Sequence, residues 1–169
     1  MNIRTNSDNE NFIRLYRSNY DAVFRYCVHR LFDRHTAEDV TSHVFLKAVE
    51  NFGRFNGDDQ QLRNWLYTIA TNAVHNYLRT AVRHNGQLKH IAQYSERQNI
   101  GDEASTETIA LLKKAVFSLK TKEQTIITLH FFEKMKLEEI ARTIGSRPGT
   151  VRSKLSRAIV KLRKKMNIE

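Results

Sequence analysis

The side chains best suited to chemistry lie near the carboxyl terminus, where arginines and lysines are interspersed with small hydroxyl residues. From Arg147 to Lys165 there are eight basic residues and no acidic one. Arginine donates paired hydrogen bonds to a base edge, lysine neutralises phosphate, and serine or threonine bonds to either. We therefore predict DNA contacts from eight residues: Arg147, Thr150, Arg152, Ser153, Lys154, Ser156, Arg157 and Lys161.

Two helices and a tight turn must position these side chains. Apolar residues recur at helical spacing on both sides of a break: Leu137, Ile140, Ala141 and Ile144, then Val151, Leu155, Ala158, Ile159 and Leu162. Gly145 permits the turn, Ser146 is the expected N-cap of the second helix, and Pro148 suits that helix's first turn. The pattern predicts a helix-turn-helix over residues 136–165. A basic, solvated helix in an ordinary bundle is the alternative.

The charge distribution supports a polyanionic partner. The chain carries a formal net charge of +10, and residues 111–169 hold 15 basic and 5 acidic residues, whereas residues 1–110 are balanced. Such a basic surface attracts nucleic acid with an affinity that falls steeply with salt. A membrane is the rival partner for a basic helix, and it is disfavoured because the apolar face lacks Trp and Phe anchors.

Three amphipathic helices are predicted upstream, and the chain as a whole is predicted to be all-α. They cover residues 12–32, a segment opening at Thr36 with Asp39 as a weak capping box, and residues 62–79, with a polar loop at 54–60 before the third. Periodicity is lost over 82–105, and Thr121 with Gln124 repeats the capping-box spacing beyond it. We predict two small helical domains, 1–81 and 106–169, joined by a partly flexible linker, 82–105.

Other functional classes are disfavoured by what the sequence omits. No apolar stretch approaches the 18 residues of a membrane span, and the polar residues 1–11 do not form a signal peptide. The seven histidines lack metal-binding spacing, and no phosphate-binding loop or nucleophile elbow occurs. Cys27 lies on an apolar stripe, which predicts a buried structural thiol. We expect a cytoplasmic protein with no catalytic residue, metal or cofactor.

Three segments resemble the signatures of one family. They are 149–158 (Gly-Thr-Val-Arg-Ser-Lys-Leu-Ser-Arg-Ala), 65–72 (Trp-Leu-Tyr-Thr-Ile-Ala-Thr-Asn) with 76–79 (Asn-Tyr-Leu-Arg), and 37–40 (Ala-Glu-Asp-Val) with 44–48 (Val-Phe-Leu-Lys-Ala) and 54–55 (Arg-Phe). In order and spacing the chain resembles an extracytoplasmic-function (group 4) sigma factor of bacterial RNA polymerase. The resemblance implies a region 2-like bundle in residues 1–81 and a region 4-like helix-turn-helix in residues 106–169.

The resemblance also implies partners and site residues. The melted minus-10 strand would be bound by Arg54, Phe55, Asn56, Ile69, Asn72 and Asn76, with a flipped base near Phe55, Ile69 and Asn72. The clamp helices of the polymerase's largest subunit would contact Asp39, Ser42, His43, Leu46 and Lys47. The carboxyl-terminal helix-turn-helix would contact minus-35 DNA, the polymerase core would also contribute the flap of its second-largest subunit, and an anti-sigma factor is a further expected partner.

Several alternatives stay open. Phe55 alone would more often be a hydrophobic plug, and Trp65 is better explained by burial. Ser42 and His43 stand where the family usually has Gln and an acidic residue, and the loop after Phe55 looks one residue longer than usual. A stand-alone helix-turn-helix regulator, or an RNA-binding protein using residues 75–97, would share many of these features.

Overall fold

A computed structural model describes residues 6–85 and 103–167, and these residues form helices without any strand. The elements are α1 (Asn6–Leu31), α2 (Arg34–Asn51), a 3₁₀ turn (Phe52–Arg54), α3 (Asp59–Asn85), α4 (Glu103–Phe117), α5 (Thr121–Ile127), a π-helical turn (Thr128–Phe132), α6 (Leu137–Thr143) and α7 (Pro148–Lys165). The all-α prediction is confirmed. Residues 82–85 of the predicted linker belong to α3, and residues 103–105 belong to α4. The rest of the predicted linker lies outside the described residues.

Helices α1, α2 and α3 pack together as the amino-terminal bundle. Its core includes the fully buried Val23, Val44, Leu66 and Val74, one or two from each helix. Cys27 is also buried at 0% exposure, and this burial raises the pKa of its thiol to about 11. The predicted structural thiol is confirmed, because a group this desolvated stays protonated and unreactive near neutral pH.

Two helix starts in this bundle differ from the predicted ones because better caps lie nearby. Helix α2 begins at Arg34, where the carboxylate of Asp33 accepts a 2.7 Å hydrogen bond from the Thr36 N–H, so the predicted capping box opening at Thr36 is wrong. Helix α3 begins at Asp59, before the predicted Leu62. Asp58 accepts from the Gln61 N–H at 2.7 Å, and the Gln61 side chain accepts from the Asp58 N–H at 2.9 Å.

Helices α4 to α7 form the carboxyl-terminal domain, in which α6 and α7 are the predicted helix-turn-helix. Gly145 adopts φ +59° in the turn, a conformation that side chains other than glycine disfavour. Pro148 is the first residue of α7, as predicted. Arg147 occupies the N-cap position without a side-chain bond, so the predicted capping by Ser146 is wrong. The predicted box of Thr121 and Gln124 is displaced by one residue. Glu123 accepts the Lys120 N–H at 3.0 Å.

The bundle and the carboxyl-terminal domain pack against each other. Helix α3 contacts α6, and α1 contacts the π-helical turn. Arg30, buried in α1, donates to Gln124 Oε1 at 2.7 Å and to Thr125 Oγ1 at 3.3 Å. The Tyr67 hydroxyl donates to the carboxylate of the buried Glu133. The sequence patterns did not predict this contact.

Candidate nucleic-acid interface

An open cavity of about 630 Å³ lies between α2, α3 and the loop that joins them. We call it the loop cavity. All six residues predicted to contact the minus-10 strand line it, and five further residues contribute. Its lining comprises His43, Lys47 and Asn51 from α2, then Arg54, Phe55 and Asn56 from the loop, and Trp65, Ile69, Asn72, Ala73 and Asn76 from α3.

One wall of the loop cavity is aromatic. The ring centroids of Phe55 and Trp65 lie 5.2 Å apart at an interplanar angle of 32°, and both residues are half-buried. Gly57 allows the loop to fold this closely, because a Cβ there would lie 2.8 Å from the Phe55 ring and 2.5 Å from Gln61 Oε1. The burial expected for Trp65 is therefore partial. Phe55 packs on Trp65 and still lines open space, so a purely plugging role does not describe it.

The part of the cavity lining that continues along α3 from Trp65 carries amide groups. Asn72 and Asn76 are exposed and follow each other by one turn of α3, with the half-buried Ile69 one turn earlier. Arg79 donates to Asn76 Oδ1 at 3.2 Å, which orients that amide. An asparagine amide both donates and accepts, so it can bond to the edge of a base whose face stacks on an aromatic wall.

Helix α2 adds polar groups that the sequence analysis assigned elsewhere. His43 and Lys47 were predicted to face polymerase, and both also line the loop cavity with Asn51. The spacing of four residues between successive members is the signal, because it puts them on one helix face. Lys47 Nζ lies 2.8 Å from Glu50 Oε2, an exposed ion pair that competes little with a phosphate.

The predicted polymerase-facing residues lie on the solvent side of α2. Asp39, Ser42, His43, Leu46 and Lys47 are all exposed, and Leu46 is 60% exposed. On the adjoining helix, Ile13 and Tyr16 are also exposed, and the Tyr16 ring packs on Phe45 at 4.8 Å. An apolar centre with charged residues around it is the composition of a protein-docking surface.

The eight predicted residues of the recognition helix α7 and its cap point away from the core. Seven are exposed and Lys154 is half-buried, while Val151, Leu155 and Ala158 are buried on the opposite face. The Arg157 Nε donates to the Ser153 carbonyl at 3.1 Å, a weak tether along the helix.

Lys161 differs from the other candidates because it has an acidic partner inside the domain. Its ammonium lies 2.8 Å and 3.1 Å from the two carboxylate oxygens of Glu123, whose side chain is 8% exposed. Burial alone would raise the pKa of Glu123, but the hydrogen bonds from Lys161 and the Lys120 N–H outweigh it and leave that pKa below its usual value. Lys161 therefore stabilises the domain as well as adding positive charge.

In the parts of the chain that the structure describes, no helix is long and apolar enough to cross a membrane. Within the same residues, no group of three or more His, Cys, Asp or Glu side chains could hold a metal ion.

The fold and these surfaces define a class: a two-domain helical protein with a helix-turn-helix and a separate open cavity lined by aromatic and amide side chains. Family models match both halves, Sigma-70 region 2 over residues 15–84 and Sigma-70, region 4 over residues 109–162. The chain belongs to the extracytoplasmic-function sigma factors of RNA polymerase. As such it directs promoter-specific initiation by binding polymerase core and promoter DNA. The stand-alone regulator is not favoured.

Curated relatives carry the same assignment. The RNA polymerase sigma factor YlaC of Bacillus subtilis is 30% identical over 159 residues, covering 90% of each chain. The ECF RNA polymerase sigma factor BldN of Streptomyces coelicolor is 30% identical over 151 residues, and the match spans 88% of this chain but 57% of that relative. ECF sigma factor SigW of Bacillus subtilis is 26% identical over 157 residues, or 86% of this chain and 83% of SigW.

A solved structure has the same fold. The sigma factor RpoE of Bartonella quintana, crystallised with the anti-sigma factor NepR, gives a TM-score of 0.72 at 22% identity, covering 95% of this chain and 99% of that one. Sigma factors as a family are non-enzymatic transcription initiation factors.

Proposed function

We propose that the loop cavity receives a base flipped out of the melted non-template strand of the minus-10 element. The observation that carries the proposal is that two rings, Phe55 and Trp65, and the amide of Asn72 line one open cavity. A stacked base gains about 1–3 kcal/mol on such rings, which offsets the cost of extruding it. Arg54 and Lys47, at the rim, supply charge for the strand's phosphates.

Other surfaces of the protein make the contacts with the minus-35 element and with the polymerase. The exposed face of α7, from Arg147 to Arg157, enters the major groove of the minus-35 duplex. The exposed face of α2 around Leu46 docks on the clamp helices of the polymerase's largest subunit, and the carboxyl-terminal domain contacts the flap of the second-largest subunit. The polymerase performs the phosphoryl chemistry, so the chain itself contributes no catalytic residue, metal or cofactor. It works in the cytoplasm beside its polymerase.

An anti-sigma factor is part of the proposal. RpoE of Bartonella quintana is bound to NepR in its crystal structure, which supports the same kind of partner for this chain. Its natural targets are the surfaces just named, because covering any one of them would prevent initiation.

Substitution of the cavity residues tests the minus-10 proposal. Phe55→Ala and Asn72→Ala should each reduce open-complex formation on a duplex promoter, measured by permanganate footprinting with purified core. On a pre-melted template Phe55→Ala should recover partly if its ring mainly helps to extrude the base, whereas Asn72→Ala should keep its defect if its amide reads that base. Thr80→Ala, exposed on α3 outside the cavity, is the matched control. Normal opening by both cavity variants would overturn the proposal.

A further inference from the structure

A second cavity, of about 340 Å³, lies between α3 and the carboxyl-terminal domain. We call it the interdomain cavity. Helix α3 contributes Asn72 and His75 to its lining, and the other wall includes Lys122 of α5, Arg142 of α6 and Gly145 of the turn. Small-molecule sites in proteins have volumes of about 300–1,000 Å³, so the interdomain cavity is large enough for a small ligand.

The lining of the interdomain cavity is positively charged. Lys122 and Arg142 are permanent cations, His75 is a third basic residue, and no aspartate or glutamate is among the described residues that line it. Within the part of the chain that the structure describes, Lys122 forms no ion pair or hydrogen bond, and Arg142 uses only its Nε, in a 3.4 Å bond to the Glu138 carbonyl. Both side chains therefore present unused N–H donors.

The surroundings of His75 show that the electrostatic potential in this cavity is positive. Burial is the largest cause that lowers the pKa of His75, and the positive charges of Arg30, Lys122 and Arg79 lower it further. Among the described groups, no carboxylate acts to raise it. Nearby cations disfavour the addition of one more positive charge, and the same cations favour an anion.

Two lining residues also hold buried polar atoms that lack a partner. Thr143 is 5% exposed, and neither its hydroxyl nor Nε2 of His75 forms a hydrogen bond with any described group. By contrast, the hydroxyl of Thr71, in the same lining, is paired with that of Tyr26 at 3.0 Å. A buried polar group without a partner destabilises the protein. Rotation about the Cα–Cβ bond moves the Thr143 hydroxyl between staggered positions, so a ligand in the cavity can supply its missing acceptor.

The free groups of the interdomain cavity match the chemistry of a phosphate monoester. The guanidinium of Arg142 and the ammonium of Lys122 are donors with no acceptor capacity, and the exposed amide of Asn72 adds a further donor. A phosphate monoester has three acceptor oxygens and carries close to two negative charges near neutral pH. One phosphate group can therefore neutralise both cations, whereas a single carboxylate carries only one charge.

We propose that the interdomain cavity binds a small phosphate-bearing molecule. Lys122 and Arg142 contact its phosphate group, Thr143 donates to it from the carboxyl-terminal domain, and Asn72 donates to it from α3. Because these contacts come from both domains, the ligand binds when the domains are docked and stabilises their contact in proportion to its concentration. The inference does not depend on the minus-10 role of the loop cavity.

Equilibrium dialysis of the full chain against inorganic phosphate near neutral pH tests the site. Sodium chloride of equal ionic strength is the reference, because salt screens any exposed cation. Lys122→Gln and Arg142→Gln should each weaken phosphate binding about tenfold, the loss expected for one hydrogen bond between charged groups. Lys114→Gln removes the same charge at an exposed position of α4 outside the cavity, and it should bind phosphate as the wild type does.

Thr143→Val separates a ligand contact from a structural role. The substitution removes the unbonded hydroxyl and nearly preserves the side-chain volume. Without phosphate, the stability of this variant to urea should therefore be at least that of the wild type. Its affinity for phosphate should nevertheless fall severalfold, because the hydroxyl no longer donates to the ligand. Unchanged affinity would overturn the contact assigned to Thr143.

Two further ligands distinguish the sources of a phosphate group. Adenosine 5′-monophosphate, a phosphate monoester, should bind at least as tightly as inorganic phosphate. The dinucleotide thymidylyl-(3′→5′)-thymidine, whose phosphodiester represents the DNA backbone, should bind more weakly because it carries a single charge. A preference for the dinucleotide would overturn the small-molecule assignment in favour of a DNA contact. The site itself would be overturned if the wild type takes up no phosphate, or if the two cavity variants bind it as tightly as Lys114→Gln.

Discussion

Arg157 and Lys161 are one turn apart on α7 but have different surroundings. Arg157 bonds only to groups of its own helix, so its guanidinium can turn outward to DNA at little cost. Lys161 is committed to the nearly buried carboxylate of Glu123. The amino-terminal half of the recognition helix is therefore available for base contacts, while its carboxyl-terminal half holds the helix to α5.

This difference gives a graded prediction for single alanine substitutions. Arg152→Ala or Arg157→Ala should cost about 1–3 kcal/mol on the preferred minus-35 sequence and relax preference at one or two positions. Lys164→Ala should weaken binding to all sequences equally and flatten the salt dependence, as loss of a phosphate contact does. Lys161→Ala should mainly lower stability to urea, because Glu123 loses its charged partner.

Binding to a library of minus-35 variants at two salt concentrations, with urea unfolding of each protein, would separate these effects. Uniform losses from all four substitutions, without any change in sequence preference, would show that α7 holds phosphate and does not distinguish bases.

The helices themselves were largely predictable, since they follow from apolar periodicity, which depends only on which face is buried. The residue at which each helix begins was harder to predict. Thr36, Ser146 and Thr121 all have good capping side chains, yet Asp33 caps α2, Arg147 precedes α7 without a side-chain bond, and Glu123 closes the box of α5. Several residues near a helix start can cap it, and the choice depends on packing that a local pattern does not contain.

The turn of the helix-turn-helix offers a test of backbone conformation alone. A Cβ at Gly145 would meet nothing within 4 Å, so the cost of Gly145→Ala is the left-handed backbone at φ +59°. We expect a loss of about 1 kcal/mol in unfolding free energy, measured with urea. Gly145→Asn should lose less, because asparagine tolerates this conformation better. An alanine variant as stable as wild type would contradict the assigned turn geometry.

The arrangement of the two domains could not be predicted from the sequence. Arg30 and Gln124 are 94 positions apart, and Tyr67 and Glu133 are 66 apart, so no local spacing links them. An arginine on an apolar stripe and a glutamate after an aromatic pair each look unremarkable alone. Most loop-cavity residues could be predicted from the sequence, because the family pattern aligned them. The contributions of Trp65 and Lys47 could not, because they depend on how α2 packs on α3.

The contact between the two domains should depend on pH through His75, which lines a cavity between α3 and the turn of the helix-turn-helix. Burial lowers its pKa, and so do the positive charges of Arg30, Lys122 and Arg79; Arg142 lines the same cavity. Separation of the two domains would remove Lys122 and part of the burial, so the pKa of His75 would rise toward its ordinary 6.5. The docked arrangement of the two domains is therefore fully favoured above that value and loses stability as the pH falls through the lowered pKa. Burial also lowers the pKa of His29, although the negative charge of Glu133 acts to raise it. His29 therefore contributes to the pH dependence in the same direction as His75.

Small-angle X-ray scattering of the free chain should thus show expansion between about pH 7.5 and about pH 5.5. His75→Gln should reduce the response, whereas His35→Gln, at an exposed position of α2, should leave it unchanged. An expansion that is identical in wild type and His75→Gln would assign the pH response to other groups.

The burial of Arg30 has a consequence for the order of events during synthesis. Its acceptors, Gln124 and Thr125, leave the ribosome long after the amino-terminal bundle is complete, and domains generally fold as they emerge. A nascent chain therefore passes through an interval in which the bundle is folded and Arg30 is still hydrated. The hydrogen bonds between Arg30 and its acceptors therefore form late, when the carboxyl-terminal domain docks on a bundle that is already folded.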